Sequence, residues 1–453
     1  MGALIQKGGE IDAKCIVGAI EEQEDIYLRD TYIKGSLDLS KPDELKQSPE
    51  SEEPFLEGKP TIRIIKSEIS FISCVFDGTI NLAHCKFYKD VVFSSSAFKE
   101  RVHFYPGTEF HKTAEFYNAK FCKSADFSFV KFKDDVTFQE ASFKQNGNTI
   151  IEFSGAKFEG EANFKFMRFI YTEHDDTKLE ARFDRTIFQK KASFSNSVFK
   201  IILFWDAIFY ENVSFYRCVF VENADFQSAT FNKTADFSLS QFNKNILLNG
   251  ASFNRLLVRW NEIENKLGDI EWWYEEGKNK AIKEHRDRII SEYETTYIAL
   301  IRNFKQLGQF YDADRCQLDY RNKSRIKLKN IKTLNHVAIW MFDRISWHFY
   351  GYGLNCLRPI YTSGFLIISY TLIYIALYYF DEFGFQLVFL CDSQALSLIS
   401  KSFYSCLIAF FSNPNVNGAT SNLVNWVGIS ERILGIILIS TFLVTLAKKT
   451  IRF

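Results

Sequence analysis

Nine cysteines and seven histidines are the residues in this chain most able to hold a metal or attack a substrate. Their spacing supports neither. No CxxC pair occurs, the histidines are dispersed, and His84 and Cys85 are neighbours that alternate to opposite sides of an extended segment. GxGxxG, P-loop, HExxH and nucleophile-elbow patterns are also missing, so no enzymatic activity, metal or cofactor is expected. The odd, scattered cysteines read as reduced thiols facing a cytosol rather than as a disulfide framework. Polar chemistry of another kind gathers in "FSNPNVNGA", residues 411–419, where Ser412, Asn413 and Asn415 offer hydroxyl and amide dipoles to a passing ion.

Such dipoles matter only if helices hold them in a bilayer. Residues 359–380 form an uncharged stretch of 22, long enough to span hydrocarbon, with tyrosines toward its ends. A second span is expected over about 427–447, where Gly435 and Ser440 supply the small surface that close packing between copies needs. Between them "ALSLISKSFYSCLIAFF" is apolar but carries Lys401 and several hydroxyls, and a re-entrant segment is expected over about 395–412. Six basic residues in "RNKSRIKLKNIK" precede the first span, and Lys448, Lys449 and Arg452 follow the second. Both flanks are therefore expected in the cytoplasm, with Asp381, Glu382 and Asp392 on the other side. No signal peptide is read at the N-terminus.

Upstream of the membrane segment the organising residue is phenylalanine, of which there are 47. From Phe71 to Phe253 an aromatic ring or leucine recurs at steps of five and six residues, interrupted by a one-residue slip at "YPGTEF" and by insertions around "NGN" and "YTEHDDTKLE". Such steps turn an α-helix through about 500° and 600°, which would smear the rings around its surface. Short extended faces separated by corners suit the spacing instead, each pointing one ring inward in coils of about 22 residues. Phe116, Phe127, Phe138, Phe226 and Phe237 are then core residues. The position two before each ring is expected to be small, and alanine or cysteine fills half of these positions.

"AEFYNAKF", "ADFSFVKF", "ANFKF" and "ADFQSATF" resemble the repeats of pentapeptide-repeat proteins. The resemblance implies a right-handed quadrilateral β-helix over residues 67–255. It departs from strict repeats in alternating five with six. Residues 1–66 read as a cap and degenerate first rungs with a Pro- and acid-rich loop. Residues 256–335 read as a helical connector containing a tetratricopeptide-like hairpin, 336–358 as a juxtamembrane segment, and 359–453 as an α-helical transmembrane domain. "GYGLNCLRPI", "FYSCLIAFF" and "SERILGIILISTFLVTLAKK" resemble the potassium-channel-type pore domain attached to such repeats. That resemblance implies a two-span ion channel, tetrameric if it forms a pore. Where the family carries its glycine-rich filter, this chain carries "FSNPNVNGA", so potassium selectivity is not expected.

Basic and acidic residues balance at 55 each, so no global field draws the chain to nucleic acid. The expected function is ion conduction or membrane permeabilisation controlled by a cytosolic β-helix. The alternatives are a membrane-tethered interaction scaffold without a pore and a toxic membrane effector in antiphage defence. The expected partners are the lipid bilayer of the inner (plasma) membrane, further copies of the chain in a homo-oligomer, and a cytosolic protein on the β-helix.

Overall fold

The computed structural model of the protein describes residues 2–40, 62–144, 148–170, 178–268, 280–329, 341, 343–344, 347, 357–383, 392–411 and 422–450. The chain divides into two compact units, Met1–Gln317 and Leu318–Phe453.

The first unit is a parallel β-solenoid. Strands of two to seven residues follow one another around each coil, and every pairing joins a strand to its counterpart in the next coil. One face holds ten strands, which sets the number of coils at about ten. Phe110 registers with Phe132, and Phe209 with Phe231, each 22 residues on. The polar insertions near 145–147 and 171–177 lengthen two coils without breaking register: Phe132 still pairs with Phe158, and Phe158 with Phe188. The alternation of five and six has a geometric cause. The five-residue steps contain tight turns with a residue in the left-handed region, such as Asn118, Phe129 and Glu140 at φ 52°, 56° and 62°. These three corners lack glycine, which Gly155 and Gly250 supply in others, yet each turn's N–H is held by the neighbouring coil, as in Asn118 N to Gln139 O at 2.8 Å. Apart from Phe104–Phe110, which contains Gly107 at φ 77°, the six-residue steps turn without such a residue, through looser corners.

Inside, the rings stack from coil to coil and meet edge-on within a coil. Phe116 lies parallel to Phe138 with centroids 4.6 Å apart, and crosses Phe127 at 83°. Phe226 stacks on Phe204 at 5.2 Å and meets Phe237 at 86°. Both geometries suit the quadrupole of the ring. The five expected core residues Phe116, Phe127, Phe138, Phe226 and Phe237 are all fully buried. Cys74, Cys85 and Cys218 sit in the small inward positions, and burial pushes the Cys85 and Cys218 thiols up to about 12. Hydroxyls fill the same slot elsewhere by donating to the preceding coil: Ser96 to Phe71 O at 3.1 Å, Thr186 to Phe153 O at 2.9 Å, and Ser197 to Phe164 O at 2.9 Å.

Helix α1 (Ala13–Glu21), capped by Asp12, lays Ala13, Ile16, Ala19 and Ile20 against the first coils. Helices α2 (Trp260–Ile263) and α3 (Lys280–Gln306) close the last. The Asn303 amide accepts from Leu256 N at 2.9 Å and donates to Leu256 O at 2.8 Å, standing in for the strand that would come next. Thr296 donates to Leu248 O at 3.1 Å. Gly308, at φ 70°, ends the α3 turn, and α4 (Phe310–Lys329) follows.

The second unit packs α5 (Leu357–Phe383), α6 (Asp392–Phe411) and α7 (Asn422–Thr450) against one another. Three segments are long and apolar enough to cross a membrane: Leu357–Phe380, Ser393–Phe411 and Leu423–Ala447. In the segment expected to be re-entrant, about 395–412, α6 is one helix of 20 residues, about 30 Å long. Its polar groups do not bar it from hydrocarbon, because Ser402, Ser405 and Cys406 turn inward and the Lys401 ammonium lies 4.6 Å above the Tyr378 ring.

Candidate functional site

The outer faces of α5, α6 and α7 carry exposed Phe365, Ile368, Leu396, Trp426, Ile433 and Val444. Side chains of this kind suit lipid. The inner faces are of different chemistry. On α7 the buried positions Val424, Gly428, Glu431, Gly435, Leu438 and Thr445 recur at steps of three, four and seven, which makes one stripe. The buried face of α6 is Leu398, Ser402, Ser405, Cys406, Ala409 and Phe410. Tyr374 and Tyr378 close the seam from α5. Small side chains allow the helices to approach closely, and hydroxyls bond across them. The Tyr378 hydroxyl lies 3.0 Å from Ser405 Oγ, and the Tyr370 hydroxyl 3.0 Å from Ser430 Oγ.

Glu431 is the group that such packing does not require. It is 1% exposed, and it lies four residues from the middle of its candidate span, about 6 Å along the helix. Cys406 Sγ donates to its Oε1 at 2.7 Å. The Tyr374 hydroxyl, from α5, is the second side-chain hydrogen-bond partner of the Glu431 carboxylate. Ser402 Oγ, one turn from Cys406 on the same buried face, is unpartnered. Three helices thus each bring a polar oxygen into the buried interior of the unit. No ion pair to Glu431 occurs among the described residues.

The sequence-expected site falls elsewhere. Ser412, Asn413 and Asn415 lie outside the described residues. Gly435 is buried against α6 of its own chain, where an added Cβ would come within 2.9 Å of the Phe410 carbonyl oxygen. Ser440 is exposed on α7, on the outside of the three-helix unit. Glu431 escaped the sequence reading, although it lies inside the span expected over about 427–447. The signal was there: an acid inside a segment otherwise apolar enough to cross a bilayer.

The solenoid surface carries two further features. A groove of about 460 Å³ is lined by Asn163, Lys165, Lys191, Ser193, Ser214 and Asp236, among others. Carboxylates on the surface shift in opposite directions. Burial raises Asp225, against the Gln227 N–H that bonds its carboxylate, and burial likewise raises Glu152 and Asp184. Burial also acts to raise Glu109, but Lys133, Lys86 and Lys131 outweigh it and hold that carboxyl below the usual range.

Residues 71–120 and 204–252 match the family model described as pentapeptide repeats (9 copies). No curated protein and no solved structure matches the chain.

Proposed function

We propose that this pentapeptide-repeat protein passes cations through its helical unit, with the β-solenoid as the cytosolic part that controls passage. The observation that carries the reading is Glu431, a carboxylate buried among apolar helices near the middle of its candidate span. An uncompensated charge costs several kcal/mol at membrane depth, so such residues mark ion or proton paths far more often than packing. The solenoid contributes a stiff body whose outside is free to take a partner. Residues 412–415 would supply amide and hydroxyl dipoles at the mouth, giving weak discrimination between potassium and sodium, and a tetramer would surround them.

Supporting a cytosolic solenoid is the basic run of residues 321–332, which precedes the first apolar helix. Engineered cysteines at Lys233 and Lys449, probed in intact cells with an impermeant thiol reagent, test this. Lys233 should be protected. Lys449 should be protected as well if α6 is re-entrant, and labelled if α6 crosses.

A second reading, a membrane-tethered scaffold without a pore, is favoured by the Tyr378–Ser405 and Tyr370–Ser430 bonds, which are ordinary interhelical contacts. Cation flux from liposomes holding the full chain separates the two. Flux above that of empty vesicles supports passage, and its absence from folded, inserted protein supports the scaffold.

A further inference from the structure

The outer faces of the solenoid differ in charge. One is built by strands Ala97–Phe98, Lys120–Phe121, Ser142–Lys144, Arg168–Ile170, Val198–Phe199 and Val219–Phe220, paired in parallel from coil to coil. Their phenylalanines are buried, so strand alternation turns the residue on either side of each ring outward. Lys120, Lys144, Arg168 and Lys200 stand among these outward residues in successive coils, and none of the outward residues is an acid. Lys120, Lys144 and Arg168 are exposed and make no ion pair among the described residues. Between the cations the face presents Val198, Val219 and Ile170, the last 51% exposed. The next face round the coil has the opposite character, with Asp126, Glu152 and Asp225 turned outward beside Arg182.

Such a face suits one kind of partner. Its cations are spread along a flat sheet, about 5 Å apart per coil, rather than converging on one point. A surface of spread negative charge matches them better than a single anion does. Exposed isoleucine and valine among the lysines gain nothing from a polyanion in water, but they suit the boundary between headgroups and acyl chains. A bilayer is also a surface this chain is made to meet, since three of its segments are long and apolar enough to cross one.

We propose that this basic face of the solenoid docks on the anionic headgroup surface of a lipid bilayer. Lys120, Lys144, Arg168 and Lys200 meet the lipid charge, and Ile170 settles among the headgroups. Each cation near an anionic surface favours docking by about fivefold. The acid-bearing face beside it is repelled by the same surface, which fixes the side that the solenoid turns to lipid. Docking goes beyond cation passage and does not depend on Glu431.

The test uses the full chain in phosphatidylcholine vesicles, with and without phosphatidylserine, doped with a lipid carrying a quencher on its headgroup. A fluorescent side chain replaces Ser142, which lies in register between Lys120 and Arg168, or Ile208 in a different sheet. Quenching at position 142 should rise severalfold with phosphatidylserine and fall back in molar salt, where the screening length is about 3 Å. Quenching at position 208 should follow neither change. Lys144→Gln combined with Arg168→Gln should lower the ratio of docked to free solenoid by about 25-fold, while Lys144→Arg should keep it. Quenching at position 142 that ignores phosphatidylserine, or that the double variant leaves unchanged, overturns the docking. Equal quenching at the two positions does so too. A probe at 142 that ignores lipid but responds to polyglutamate or to DNA also overturns it, and gives the face to an acidic macromolecule. Cation flux is not read in this assay, so its presence or absence leaves the docking result unchanged.

Discussion

The solenoid and the helical unit both bury aromatic rings beside small residues, and they treat the accompanying polar atoms differently. In the solenoid, Ser96, Thr108, Thr186, Ser197 and Ser240 each donate to a carbonyl of the preceding coil. Even the last strand has its N–H and C=O taken up by Asn303. In the helical unit, Ser402 is left with an unbonded hydroxyl, and Glu431 is a fully buried carboxylate whose side-chain partners, Cys406 and Tyr374, bring no positive charge. Buried polar groups left unmet cost about 1–3 kcal/mol each, more when charged. Unbonded buried atoms occur in the solenoid as well, at Ser67 and Asn249, and both are neutral. The helical unit differs in burying a carboxylate, which costs more.

The comparison breaks most readily at the ring column. Phe226→Ala removes a ring stacked on Phe204 and crossed by Phe237 and Phe215, and should lower the stability of the solenoid by about 3–5 kcal/mol. Lys233→Ala loses only the surface pair with Glu211 at 2.7 Å, half exposed, and should change stability by less than about 1 kcal/mol. Equal shifts in thermal melting would show that the rings are not the core. Asn303→Ala strips the end strand of both partners and should cost about 2–4 kcal/mol, with hydrogen exchange rising first at Leu256. Protection of Leu256 unchanged from wild type would refute the cap.

In the helical unit, Gly435→Leu forces a side chain against the Phe410 carbonyl and should weaken the α6–α7 contact by about 1–3 kcal/mol. Melting in detergent should report this while the solenoid transition stays put. A shift in subunit number with no loss of monomer stability would instead assign Gly435 to contacts between copies. The smallest effects are those of pH. Asp225 is raised by burial, so its contribution is present at low pH and is lost as pH rises through its folded value. Asp225→Asn should then be more stable than wild type at neutral pH, with the gain vanishing in acid. Glu109 is lowered, so its stabilisation is present at neutral pH and lost on acidification. Glu109→Gln should be less stable at neutral pH, and the deficit should fade in acid.

What could be read beforehand follows from how each contact repeats. The phenylalanine column is periodic, so its inward direction and the 22-residue coil were legible, and the tight and loose corners explain the alternation of five with six. The hydroxyls of the small slot were not, because their carbonyl partners lie 25 to 33 residues back and nothing local distinguishes Ser197 from an alanine there. Asn303 looked like an ordinary mid-helix polar residue, since Leu256 is 47 positions away. Three apolar segments were legible as membrane material, the middle one read as re-entrant from Lys401 and the hydroxyls of α6. Only the packed helices show those hydroxyls turned inward. Glu431 was visible in the sequence and meaningless without Cys406, 25 residues earlier on another helix.

The central claim is that the helical unit carries cations by way of Glu431. Reversal potentials measured in planar bilayers, with the full-length wild type and Glu431→Gln under opposed potassium and sodium gradients, test it most directly. The expected result is a cation current in the wild type with little preference between the two ions, and a severalfold smaller current in Glu431→Gln at equal incorporation. Strong potassium selectivity, or currents identical in the two proteins, would contradict it.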